Sequence, residues 1–251
     1  MASPRYLANA PITEAVIDFR ARTPTTLRVD ELKILATGVV GEYNAPEDIR
    51  VTEFGFVKRQ GMPMEHNKID KGLMGYRSKS KDEKRYIQWR KDGFTFSRLS
   101  PYRGWEDAFT EASKFYREYV KVAKIEEVSR IAVRFINRLA LPLADVGDFS
   151  PYLAAPPPFP KEIPALIANF LTQLQVREPD TSIQAVVNQT IHQGGTVIAG
   201  SVPVILDFDV SEVASLPIDP DQLLPRFAAL RNFKNRLFFA SITERAAKLF
   251  E

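Results

Sequence analysis

Apolar and polar residues alternate through residues 15–20. Ala15, Ile17 and Phe19 fall on one side, and Val16, Asp18 and Arg20 on the other. A period of two predicts a half-buried strand. The period changes after Pro24: Val29, Leu32, Ala36 and Val39 recur at helical spacing, with Gly41 as a stop, so a helix is expected over 27–40. Strands follow over 49–57, 73–77, 85–90 and 94–99. Asp92-Gly93, between the last two, signals a hairpin because both residues tolerate the positive φ of a tight turn. From 103 to 124, Trp105, Phe109, Ala112, Tyr116, Tyr119 and Val120 make the apolar stripe of a long helix, most simply part of the core.

The second half repeats that order. Residues 130–140 read as a strand, with Ile131, Val133, Phe135 and Leu139 sharing a face with Asn137, and Arg134 and Arg138 opposite. A proline-rich connection over 151–160 leads to a helix expected at 163–174. Strands are expected over 182–191 and 196–199 around Gly194-Gly195, and over 202–210. Helices are expected over 220–235 and 242–250, the last capped by Ser241 with Glu244 at its third position. Each half thus reads strand, helix, several strands, helix.

The expected fold is therefore α+β: two similar halves, 1–125 and 126–251, packed as one compact unit. They form a mainly antiparallel curved sheet with helices on one side. The order is similar to the saddle of the TATA-binding-protein fold, in architecture alone. No Gly-x-Gly-x-x-Gly turn follows the first strand, which argues against a dinucleotide-binding sheet.

Composition narrows the chemistry. The chain of 251 residues has no cysteine, which removes disulfides, thiolate nucleophiles and cysteine-held metals. Lysine and arginine number 34 against 31 acidic residues, a net +3 that selects no partner. The start shows no basic stretch leading into a long apolar run, so a soluble, cytoplasmic protein is expected, with no membrane contact. His66 and His192 stand apart, no metal-binding or P-loop motif is present, and Gly-x-Ser-x-Gly is absent. No cofactor is expected.

Three clusters remain as candidates. If the strands holding Asp18 and Arg134 pair, then Asp18, Arg20, Arg134 and Arg138 gather on one sheet face. There their guanidinium groups would offer bidentate donors to an anionic small molecule or an acidic protein segment. The structural alternative is a set of interstrand ion pairs. Asn137, on the apolar side, must satisfy loop backbone or mark a polar pocket rim, because an unpaired buried amide costs about 1–3 kcal/mol. Residues 77–91 carry seven basic side chains against two acidic, interleaved with Tyr76, Tyr86 and Trp89. Arg85, Trp89, Arg90 and Lys91 are the candidates there for single-stranded nucleic acid, by phosphate contact and base stacking; an ordinary wet hairpin with Trp89 in the core is the alternative. Glu14 and Asp18 are candidates for metal-assisted phosphoester hydrolysis, but residues four apart in a strand are separated by about 13 Å.

Asn9-Ala10-Pro11-Ile12-Thr13-Glu14-Ala15 resembles the N-x-P-[IL]-x-E-A opening of a sporadically distributed prokaryotic family of uncharacterised function, about 250 residues long. Residues 130–139, with Arg134-Phe135-Ile136-Asn137-Arg138, are similar to its central strand, and 238–244, Phe238-Phe239 through Glu244, to its end. The resemblance implies a full-length unit and carries over no catalytic residue. The sequence thus points to a non-enzymatic binding or scaffold module, with homo-oligomerisation left open.

Overall fold

A computed structural model describes residues 1–57, 65–142, 148–160, 162–163, 167–192 and 200–251. The expected Gly194-Gly195 turn and the strand over 196–199 lie outside the described residues.

Among the described residues, nine strands form one sheet: β1 (Ile12–Arg22), β2 (Glu47–Val57), β3 (Glu65–Lys79), β4 (Arg85–Arg90), β5 (Gly93–Leu99), β6 (Glu127–Leu141), β7 (Leu171–Arg177), β8 (Ile183–Ile191) and β9 (Val202–Leu216). Their order is β2-β3-β4-β5-β1-β6-β9-β8-β7, and every neighbouring pair is antiparallel. The β1 and β6 strands lie side by side near the middle, with Asp18 opposite Ala132 and Val16 opposite Arg134. The fold is α+β, a large antiparallel sheet with peripheral helices.

Among the described residues, four helices accompany it: α1 (Lys33–Gly38), α2 (Trp105–Ala123), α3 (Pro220–Ser241) and α4 (Glu244–Ala247). The α2 stripe is buried through Trp105, Phe109, Ala112, Tyr116 and Tyr119. It meets Ile17 and Phe19 of β1 and Phe94 and Phe96 of β5 in one core, which Phe227 and Leu230 of α3 also enter. Phe19 stacks on Tyr116 at 3.9 Å between ring centres. At the far end of α3, Phe238 and Phe239 join Leu139, Leu206 and Phe208 in a second cluster. Asp219 caps α3 by accepting from the Asp221 N–H at 2.9 Å, and Pro220 follows where its missing N–H costs nothing.

Three expectations need correction. The helix expected over 163–174 gives way to β7 from Leu171, because Thr172, Leu174 and Val176 alternate with Gln173 and Gln175 and pair along β8. The helix expected over 27–40 divides into a 3-10 turn at Val29–Leu32 and the short α1. The last helix is capped by Thr243, not Ser241. Thr243 accepts from the Ala246 N–H, whereas the Ser241 hydroxyl donates back to the Leu237 carbonyl within α3.

The side chains of β1, β5, β6 and β9 that alternate with this core form the other sheet face. Among the described residues, no helix packs over it.

Candidate functional site

On that uncovered face, Asp18 is a hub. Its carboxylate accepts from the Thr95 hydroxyl at 2.6 Å, from Arg20 Nε and Arg130 Nη1 at 3.2 Å, and from Arg90 Nη2 at 3.3 Å. The antiparallel register explains this arrangement: Thr95 lies directly across β5, and Arg130 lies diagonally across β6. Asp18 therefore meets Arg130 rather than Arg134. Arg134 turns the other way and makes a two-pronged pair with Asp207, at 2.8 and 2.7 Å. Arg20 also reaches Asp92, and Arg130 reaches Asp209. Arg138 sits farther along the same face of β6, its backbone N–H donating to the Pro11 carbonyl at 2.8 Å. The face is a mosaic in which Arg20, Arg130 and Arg134 each already have a carboxylate.

The basic stretch is divided between the two faces. Trp89 is buried at 1% exposure beneath the helices, which leaves no indole face for a base to stack on. Arg85 pairs with Glu111 at 2.7 Å, and Arg90 with Asp18 and Asp92. Lys91 is half-buried, and its carbonyl accepts from the Thr23 hydroxyl. Tyr86 faces the opposite way from Trp89 and carries Arg77 and Lys79 over its ring. Among the described residues, no three histidine, aspartate or glutamate side chains gather as a metal site. Nor is any helix there long and apolar enough to cross a membrane.

A different place combines space with buried charge. A cavity of about 790 Å³ lies between the N-terminal segment, the turn before α2, the end of β6 and one side of α3. The N-terminal segment is laced down as one wall. Ala2 N–H bonds the Phe239 and Ile242 carbonyls, Asn9 N–H bonds the Phe250 carbonyl, and Arg5 pairs with Glu244 and Glu251. Phe135 and Asn137 of β6 form part of the floor. Asn137 is 2% exposed and donates from Nδ2 to the carbonyls of Phe135 and Leu206. It thus bonds backbone and lines a pocket at once.

Lys234 of α3 lines the same cavity and is only 8% exposed. Its Nζ stands 3.9 Å from the centre of the Phe135 ring. Among the described residues, no hydrogen bond or ion pair reaches it. Burial, aided by repulsion from Arg231, pushes its amine down to about 7. The ring face favours the ammonium by about 2 kcal/mol, but removing a lysine from water costs more, so burial wins. Arg231, one turn earlier, lies over the Trp105 ring at 5.8 Å and meets Glu106 only at 3.5 Å. Tyr102 closes the wall edge-on against Phe135, and burial raises its phenol. The cavity is therefore lined by four basic side chains, Arg5, Arg103, Arg231 and Lys234, against the single carboxylate of Glu106, on walls that mix polar groups with aromatic rings.

A second cavity, of about 620 Å³, lies between α1 and α2. It is mainly apolar, and its charged residues Glu42, Lys114 and Glu118 are exposed. It lacks a buried charge.

Sequence reasoning passed over Lys234, though a signal was there. Leu223, Phe227, Leu230, Lys234 and Phe238 follow one buried stripe at spacings of four, three, four and four. Lysine stands where the stripe calls for an apolar side chain.

Comparison with protein-family models and with curated proteins finds no match for this chain.

Proposed function

We propose that the protein is a binding module for an anionic organic molecule, taken up in the cavity beside Lys234 and Arg231. The observation that carries this reading is the unpaired Lys234 ammonium, buried against Phe135 and open to the cavity. A buried cation without a counter-ion is costly, and a carboxylate arriving from solution supplies the missing charge. Arg231 offers a planar donor fork beside it. The aromatic and aliphatic walls suit an apolar body attached to that carboxylate, the usual make-up of a small-molecule site. A further support comes from the three segments that resemble the uncharacterised prokaryotic family. Asn9, Ala10, Pro11 and Ile12 from the first, Phe135 and Asn137 from the second, and Phe238 and Phe239 from the third all line this one cavity.

The sheet-face cluster of Asp18, Arg20, Arg134 and Arg138 draws less support as the anion site, because Asp18, Asp92 and Asp207 already engage Arg20 and Arg134. Single-stranded nucleic acid draws less again, with Trp89 in the core. Phosphoester hydrolysis through Glu14 and Asp18 requires Asp18 to leave its arginines. The strand order also favours an internal duplication: outward from the centre, β1, β5, β4 and β3 match β6, β9, β8 and β7.

The test uses Trp105, which lines the cavity and reports on it by fluorescence. Titration with 4-phenylbutyrate is expected to give a saturable change, weakened at least about tenfold in Lys234→Met, the cost of one charge-assisted hydrogen bond. No saturable change in the wild-type protein would overturn the reading.

A further inference from the structure

We infer that Lys234 forms a reversible imine with the carbonyl of a 2-oxo acid held in this cavity, its carboxylate on Arg231. The inference rests on the binding role proposed above and goes further, from recognition of a carboxylate to covalent capture of its neighbouring carbonyl.

The geometry sets Lys234 apart from an ordinary anion-binding lysine. A lysine kept for charge alone is normally paired or solvated. Lys234 is neither: it is 8% exposed, no carboxylate reaches it, and its Nζ is packed on a ring face at 3.9 Å. Apolar walls and a neighbouring guanidinium are the surroundings that hold a lysine amine unprotonated and nucleophilic near neutral pH. Its lowered proton affinity agrees with that. Arg231, at i−3 on the same helix, stands one turn away, so the two groups can serve the adjacent carboxylate and carbonyl of a 2-oxo acid. Phe135, Tyr102 and Trp105 would flank the rest of the molecule.

The step balances without any outside reagent. The neutral amine attacks the C2 carbonyl carbon, a C–N bond forms, and the carbonyl π pair moves to oxygen. Both amine protons pass to that oxygen, which leaves as water while the C=N bond forms. Lysine and 2-oxo acid give imine and water, with nothing oxidised or reduced; water entering the cavity reverses the reaction.

The experiment treats the intact protein with 2-oxo-4-phenylbutyrate and sodium borohydride, followed by intact-mass and peptide analysis. Borohydride delivers hydride to the imine carbon and fixes it as a secondary amine. The expected result is one adduct, located on Lys234 and at least about tenfold above any other lysine, with formation rising between pH 6 and pH 8 as the amine loses its proton. Lys234→Met and Lys234→Arg lose it, the arginine variant keeping the charge. Adducts spread over surface lysines and unchanged in Lys234→Met would overturn the inference. If 4-phenylbutyrate binds but its 2-oxo analogue leaves no adduct, the imine falls and the binding role stands. If neither acid engages the cavity, both fall.

Discussion

Lys234 Nζ stands 3.9 Å from the centre of the Phe135 ring, with no carboxylate beside it among the described residues. Phe135 belongs to β6 and Lys234 to α3, so packing of helix on sheet forces the ammonium into the cavity wall. A core position has been given to a group whose charged form destabilises the folded state.

That cost depends on pH, and its sign follows from linkage. Lys234 titrates near 7 when folded against 10.5 as a free lysine, so between those values the unfolded chain binds the extra proton. Stability from this group is therefore full above about pH 10.5 and is lost as pH falls through 7. The other charged groups facing the cavity are Arg5, Arg103, Glu106 and Arg231. Lys234→Met is expected to be more stable than wild type at pH 6, by as much as about 3–5 kcal/mol, because replacing a buried charge with an apolar side chain of similar size removes its desolvation cost. The gap should narrow steadily toward pH 9.5. Urea denaturation at several pH values measures it; a gap constant across that range would contradict a low-titrating Lys234.

On the other face, Asp18 holds three arginines and Thr95 together. Asp18→Asn removes the charge and leaves Arg20, Arg90 and Arg130 converging on a neutral amide. A loss of about 2–4 kcal/mol is expected in chemical denaturation, near the cost of breaking a buried pair from one side. A change within experimental error would mean that the hub is no more than a surface ornament.

Arg134 and Arg138 lie on the sheet face away from the cavity. The double variant Arg134→Ala, Arg138→Ala is expected to stay folded and to bind 4-phenylbutyrate within about twofold of wild type, since well-separated sites act independently. Its stability should fall by about 1–2 kcal/mol, chiefly through loss of the two-pronged bond to Asp207. A large loss of affinity with the fold intact would return the anion site to the sheet face.

Much of the fold was legible because it depends on local periodicity. Alternation at Ala15–Phe19 and Ile131–Phe135 marks β1 and β6, and the Trp105 stripe marks α2. Asp92-Gly93 marks its hairpin for a further reason: Gly93 adopts φ +151°, and a Cβ there would lie 2.1 Å from the Phe19 carbonyl oxygen. The expected pairing of β1 with β6 is present, but a shift of one diagonal neighbour decides which arginine meets Asp18. Sequence periodicity fixes the face, not the diagonal. The cavity was less legible still, because its walls come from residues 5–12, 100–106, 135–137 and 231–239, brought together only by tertiary packing. Asn137 gave a hint from its place among apolar neighbours. Lys234 gave the same hint within α3, but a lysine in a helix that also carries Arg226, Arg231 and Arg236 reads as solvated unless the stripe is followed residue by residue.

The central claim is that Lys234 waits as an unpaired amine for an anionic ligand, and NMR of labelled lysine side chains tests it most directly. Followed over pH without and with 4-phenylbutyrate, one resonance, absent in Lys234→Met, should titrate near pH 7 in the free protein. It should move up by at least about one pH unit when the carboxylate binds, because an opposite charge within a few ångströms favours the ammonium. A Lys234 resonance that titrates above pH 10 and ignores the ligand would contradict the account.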